Sequence, residues 1–159
     1  MYAVRGMGKV QWRAAVAAGM AAGILATAVQ VSLWFILTDA LPEIFYRDAR
    51  LAAAIAMGRG ALSPPGARAP VLLVATLVHF ALSIVYGVIV SWLAARLGAR
   101  ASLLAGAVFG VALYAINMYG FTAIFPWFAA SRDKITLTAH IAFGVVAAGA
   151  YRIATRPRG

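Results

Sequence analysis

Cysteine is missing from this chain of 159 residues. Its absence excludes disulfides, thiolate metal sites and thiol nucleophiles. Charge is scarce at 11% of residues, and acids scarcer still: Asp39, Glu43, Asp48 and Asp133 are the only four. No apolar stretch carries two carboxylates, so paired acid–base chemistry inside a membrane has no candidates. HExxH, GxSxG and P-loop patterns are also missing, which removes zinc hydrolases, nucleophile-elbow esterases and P-loop nucleotide hydrolysis from consideration. A Ser83–His79 pair on one helix face is the nearest approach to a nucleophile and base, and a serine in such a helix ordinarily bonds to its own backbone. The chain is expected to be non-enzymatic.

What is present is hydrocarbon. Hydrophobic residues make up 64% of the sequence and the mean hydropathy is +0.90, values outside the range of soluble domains. Apolar runs at about 14–37, 71–94, 101–121 and 135–154 each approach the roughly 20 residues that cross a bilayer. They predict an all-α, four-helix transmembrane bundle occupying 1–159 as a single domain, with both termini on one side. The stretch "LPEIFYRDARLAAAIAMGRG" separates Glu43, Arg47 and Arg50 from Ile44, Phe45, Leu51 and Ile55 around a helix. It predicts a short interfacial helix over about 42–57 in the first outer loop, either a surface spacer or a lid. "SPPGARAP" then turns the chain back.

Arg5, Lys9, Arg13, Arg96, Arg100, Arg152, Arg156 and Arg158 gather on the side of the termini with no acid among them, which makes that side cytoplasmic. Trp12 and Trp92 fall at the inner boundary, Trp34 and Trp127 at the outer. The formal net charge of +10 is dispersed over helix ends, where it meets lipid headgroups; nucleic acid is not an expected partner. The lipid bilayer is, and the small-residue faces admit a homo-oligomer or the other subunits of a membrane complex.

Close packing of membrane helices is carried by small residues. The first span has Gly19 and Gly23 in register with Ala15 and Thr27, and the third has Gly106 and Gly110 in register with Ser102. Seven residues beyond each glycine pair stands an amide, Gln30 or Asn117, on the same face at about 100° per residue. The second and fourth spans each hold one of the two histidines, His79 in "TLVHFALSIVYG" and His140 in "TLTAHIAFG", the latter followed by Gly144. The pattern predicts two similar hairpins forming a parallel internal repeat. At about 1.5 Å per residue His79 and His140 lie about 12 and 9 Å below the outer ends of their helices. Gln30, His79, Ser83, Asn117 and His140 are therefore the candidate polar site, with Asp39, Glu43 and Asp133 at its outer mouth.

Three readings of this cluster compete: a site for a proton or small polar solute entering from the outer face, structural hydrogen bonding within an accessory subunit of a larger complex, and axial ligation of haem b by His79 and His140. The last would use Gly144 to admit the macrocycle and Arg132 or Lys134 for its propionates. No other cofactor and no metal site is expected.

The stretches "AAGMAAG", "VHFALSIVYG", "SLLAGAVFG" and "AHIAFGVV" together resemble the YagU-type small bacterial inner-membrane proteins. The resemblance implies a multi-pass protein of the bacterial cytoplasmic membrane. It carries no catalytic residue onto this chain.

Overall fold

The computed structural model describes residues 10–63 and 68–156. Arg5, Lys9, Arg158 and residues 64–67 of the "SPPGARAP" turn lie outside the described residues. Five α-helices follow in order: α1, Trp12–Leu37; α2, Glu43–Met57; α3, Arg68–Ala94; α4, Ala99–Ala115; and α5, Lys134–Ala154. Four of them, with α4 extended through Ala123, are long and apolar enough to cross a membrane, and the expected helical-bundle class is the one observed.

The helix limits have local causes. Asp133 caps α5, its carboxylate accepting from the Thr136 amide at 2.8 Å. Gly58, with φ +76°, ends α2 in a backbone region that only glycine enters freely. The expected third helix does not run to residue 121 as a uniform α-helix. It gives way after Ala115 to a π-helical turn, Ile116–Gly120, and a short 3-10 segment, Phe121–Ala123. Such widened turns arise where one residue too many is accommodated in a helix, and this one carries Asn117.

The four long helices alternate in direction. At the end that holds the termini, the Gln11 amide donates to the Tyr151 hydroxyl at 3.2 Å and Arg152 donates to the Leu97 carbonyl at 3.1 Å. At the other end, called here the loop end, α2 and the 3-10 turn Pro126–Ser131 come together, the Trp127 indole donating to the Leu51 carbonyl at 3.1 Å. An alanine stripe on α1, Ala15, Ala18, Ala22 and Ala26, packs with Phe143, Ala147 and Tyr151 of α5 into the buried core.

Glycine permits backbone contact within two pairs of helices. A Cβ on Gly19 would strike the Ser83 carbonyl, and one on Gly87 would strike Gly19, so α1 and α3 meet backbone to backbone. In the second pair, Cβ atoms on Gly106 and Gly144 would each strike the other's carbonyl, joining α4 to α5. The registers correspond. Gly19 faces Ser83 and Gly87, Gly106 faces Gly144 and Ala148, and a histidine precedes Ser83 and Gly144 by one helical turn in each case. The two hairpin-like units anticipated from glycine, amide and histidine spacing thus share one packing scheme. They are joined unequally, for α1 packs extensively on α5 whereas α3 and α4 meet sparingly.

At the loop end α2 lies against α3, burying Ala53 and Ala54 with Ala75 and Ala61. This placement departs from the surface-spacer expectation, since α2 packs on α3 and its Phe45, Asp48 and Leu51 line a cavity shared with α1. Trp34 departs as well. Expected at the headgroup boundary, it is 3% exposed, enclosed beneath α2 by Phe45 and Leu51 at one cavity. Cation–aromatic pairs mark both ends instead: Arg96 sits 3.7 Å from the Trp92 ring centre, Arg132 4.5 Å from Tyr119 and Arg68 4.8 Å from Tyr46.

Candidate functional site

α1 and α3 are pinned at their glycines, and toward the loop end a space bordered also by α2 remains between them, with a second space where α3 and α4 part. The two form lobes of one region. The lobe bordered by α3, α4 and α5 has a volume of about 360 Å³, and the lobe beneath α2 about 420 Å³. Thr27, Gln30, Ala52, His79, Met118 and His140 line both, forming a waist. Gln30, His79, Ser83, Asn117 and His140, singled out by spacing alone, all reach the first lobe.

Hydrogen bonds settle how these groups are arranged. His140 Nδ1 lies 2.8 Å from the Thr136 carbonyl. A carbonyl only accepts, so Nδ1 carries the hydrogen and Nε2 is left with its lone pair. Asn117 Nδ2 donates to that lone pair across 3.3 Å, and Asn117 Oδ1 accepts from the Tyr86 hydroxyl at 3.4 Å. Tyr86, Asn117, His140 and Thr136 therefore form one directed chain from α3 through the π-helical turn to α5. His79 has the opposite tautomer. Its Nε2 is 3.3 Å from both the Gly23 carbonyl and Thr27 Oγ1, so Nε2–H is shared between them and Nδ1 keeps the lone pair. Absence of a Cβ on Gly23 is what admits the ring, for a side chain there would meet His79 Nε2 at 3.1 Å and Ser83 Oγ at 2.6 Å.

Gln30 is not part of that chain. It donates to Asp48 Oδ2 at 3.4 Å, and Asp48 Oδ1 accepts from Ser131 at 3.3 Å and from two nitrogens of Arg47 at 2.8 and 2.9 Å. One carboxylate thereby links α1, α2 and the turn before α5 over the cavity. The acids expected at the mouth are placed otherwise. Asp133 bonds the backbone and hydroxyl of Thr136 as a helix cap, Asp39 and Glu43 are exposed, and none of the three lines either lobe. The acid that does is Asp48, which the sequence pattern assigned to neither the polar site nor its mouth; its only signal was Ala49, Ala52 and Ala53 nearby on a helix too apolar to be wholly exposed.

Burial pushes the Asp48 carboxyl above the ordinary carboxylate range, with the Asp133 charge adding to the effect and Arg47 and Ser131 opposing it. Folding then binds a proton that the unfolded chain releases earlier. Stability falls as pH rises from the ordinary carboxylate value through the raised one, and the cost persists at neutral pH. Asp48→Asn is expected to flatten that slope in thermal unfolding of the detergent-solubilised protein between acid and neutral pH. A wild-type midpoint that climbs across the same window would contradict the assignment. Arg47 is partly exposed, so its loss of a charged partner costs little.

The haem reading fits poorly. Axial ligation needs both Nε2 lone pairs, yet His79 uses Nε2 as a donor to Gly23 and Thr27 and His140 offers its Nε2 to Asn117. Gly144, the proposed door for a macrocycle, is filled by the Gly106 backbone. Comparison of the chain with family profiles, with curated proteins and with solved structures gives no match.

Proposed function

We propose that this integral membrane protein is a non-enzymatic component of a bacterial cytoplasmic membrane, with both termini in the cytoplasm, and that it takes a small molecule into the histidine-lined cavity, its handling linked to protonation of His140 through Asn117 and Tyr86. The charge asymmetry of its ends and the YagU-type resemblance support the location. The directed hydrogen-bond chain at the cavity wall carries the functional reading.

That chain has a second state in which only the Asn117 amide oxygen and nitrogen exchange places. A proton arriving at His140 Nε2 turns the acceptor into a donor, and the Asn117 amide answers by rotating half a turn. Its Oδ1 then accepts from Nε2–H, its Nδ2 donates to the Tyr86 oxygen, and the Tyr86 hydroxyl, keeping its hydrogen, turns to donate toward the cavity, while the added proton stays on His140 until it leaves the way it came or passes to a bound molecule. Protonation at one end thus reverses the bond presented to a bound molecule at the other. Only the amide and the hydroxyl rotate, and the second state is fully satisfied when a bound molecule accepts from Tyr86.

Vesicles containing the purified protein and an entrapped pH-sensitive dye test the reading. After an imposed pH step, wild-type protein is expected to accelerate proton equilibration, and His140→Ala to slow it by about tenfold or more, the loss expected on removing a proton-handling group. His79→Ala is expected to have a smaller effect, because His79 bonds only to α1. Equilibration unchanged by His140→Ala in protein that remains folded would refute the proposal.

A further inference from the structure

We propose that Arg132 is a positioning residue for the hydrogen-bond chain: its guanidinium holds the π-helical turn Ile116–Gly120 against the start of α5 and so keeps the Asn117 amide on His140 Nε2. The inference rests on the reading of that chain as proton-linked and names the side chain that sets its geometry.

The chain needs an external brace. Asn117 meets His140 at 3.3 Å and Tyr86 at 3.4 Å, long for bonds whose usual separations are about 2.7–3.0 Å, so little further displacement is tolerated. The backbone contact of α4 with α5 at Gly110, which faces the His140 peptide, comes seven residues before Asn117. From there the helix widens and passes directly into the 3-10 segment Phe121–Ala123. Regular helical bonding does not by itself fix the amide.

Arg132 supplies the brace from outside the helix. Its Nε donates to the Met118 carbonyl at 2.7 Å, one peptide from Asn117, and its Nη2 to Thr122 Oγ1 at 3.0 Å. The Thr122 hydroxyl in turn donates to the Tyr119 carbonyl at 2.7 Å, and the guanidinium lies 4.5 Å from the Tyr119 ring centre. Tyr119 is edge-on to Tyr114 at 6.1 Å and Tyr114 edge-on to the His140 ring at 5.7 Å. The group that grips the donor's turn therefore also backs the acceptor's ring. The other end of Arg132 is equally fixed: Asp133, the next residue, caps α5 at Thr136, whose carbonyl holds His140 Nδ1. Among the described residues the one ion pair is Arg47–Asp48, so no carboxylate draws Arg132 away. The planar fork matters, since a lysine has no second donor fixed at an angle to the first.

The test is nitrogen NMR of the full-length detergent-solubilised protein, isotopically labelled at its two histidines, because the resonance of an unprotonated imidazole nitrogen moves when it accepts a hydrogen bond. Asn117→Leu gives the value of His140 Nε2 without its donor. Arg132→Ala is expected to move that resonance most of the way to this value while the His79 resonances stay in place, and Arg132→Lys to restore only part of the shift. Proton equilibration in the vesicle assay should slow about three- to tenfold in Arg132→Ala, the usual effect of one hydrogen bond. Arg96→Ala is the control. It removes a bond of 2.6 Å to the Trp92 carbonyl and the stacking on the Trp92 ring at the opposite end, and should leave both histidines and the flux as in wild type. A merely structural arginine would lower the thermal midpoint without displacing one histidine alone. A His140 Nε2 resonance unmoved in Arg132→Ala, or both histidines moved together, overturns the proposal. Should that variant fail to fold, Thr122→Val removes one arm of the fork with an isosteric side chain, and must shift the same resonance in the same direction or the proposal fails. Flux that falls in His140→Ala while Arg132→Ala leaves Nε2 unmoved refutes the positioning role alone. The expected shift with no flux in wild-type protein removes the proton reading and leaves the positioning role standing.

Discussion

Gly144→Ala should separate the α4–α5 pair and lower the thermal midpoint of the detergent-solubilised protein by about 2–12 °C. The added Cβ would overlap the Gly106 carbonyl oxygen and approach the Gly110 nitrogen at 3.1 Å. Both obstacles are backbone, so no rotamer change relieves them and the helices themselves must move. Overpacking of this kind costs about 1–3 kcal/mol, and each kcal/mol shifts the midpoint by about 2–4 °C in a chain of this length. Gly149→Ala is the internal control. There the nearest atom is the flexible Leu103 Cδ2 at 3.5 Å, and alanine is favoured over glycine in a helix by about 1 kcal/mol, so stability should hold or rise. Equal midpoints for the two variants would show that α4 and α5 do not meet backbone to backbone.

Asn117→Leu is expected to abolish the proton movement assigned to the cavity and to destabilise the protein. Leucine matches the amide in shape and removes both of its bonds, leaving the Tyr86 hydroxyl and His140 Nε2 without partners. Each stranded group costs about 1–3 kcal/mol when buried. Because the amide is the only link between the two ends of the chain, flux should fall at least as far as with His140→Ala, by about tenfold or more. A double-mutant cycle with Tyr86→Phe separates relay from packing. If the amide couples His140 to Tyr86, Tyr86→Phe should slow flux in wild-type protein and do nothing further in Asn117→Leu. Additive losses would mean that the two residues act separately.

The spanning helices were legible in the sequence because hydropathy over some twenty residues is a sum that no single side chain can reverse. The glycine registers were legible for a related reason: Gly19 with Gly23, and Gly106 with Gly110, recur on one helix face whatever lies opposite. Which partner each stripe meets is a tertiary fact, and only the structure pairs α1 with α3 and α4 with α5. The candidate residues reach one cavity, yet their alliances differ from the simple convergence expected. Asn117 joins His140, while Gln30 turns to Asp48. A sequence shows that α2 is amphipathic but not that it folds back over the bundle, and that one placement explains both surprises. It brings Asp48 to the cavity wall and encloses Trp34 within the protein. The π-helical turn at Ile116–Gly120 left no mark in composition, since widening a turn changes backbone bonding rather than residue type.

The unequal contacts between the two hairpin units have a mechanical consequence. Glycine locks each unit internally, and the α1–α5 alanine seam acts like the spine of a book whose free edges are α3 and α4. The softest deformation is a small rotation of one cover against the other, which changes the width of the page gap without breaking a single helical hydrogen bond. Widening that gap stretches the Tyr86–Asn117 bond, already long at 3.4 Å, so the opening of the chamber and the hydrogen-bond chain at its wall move together.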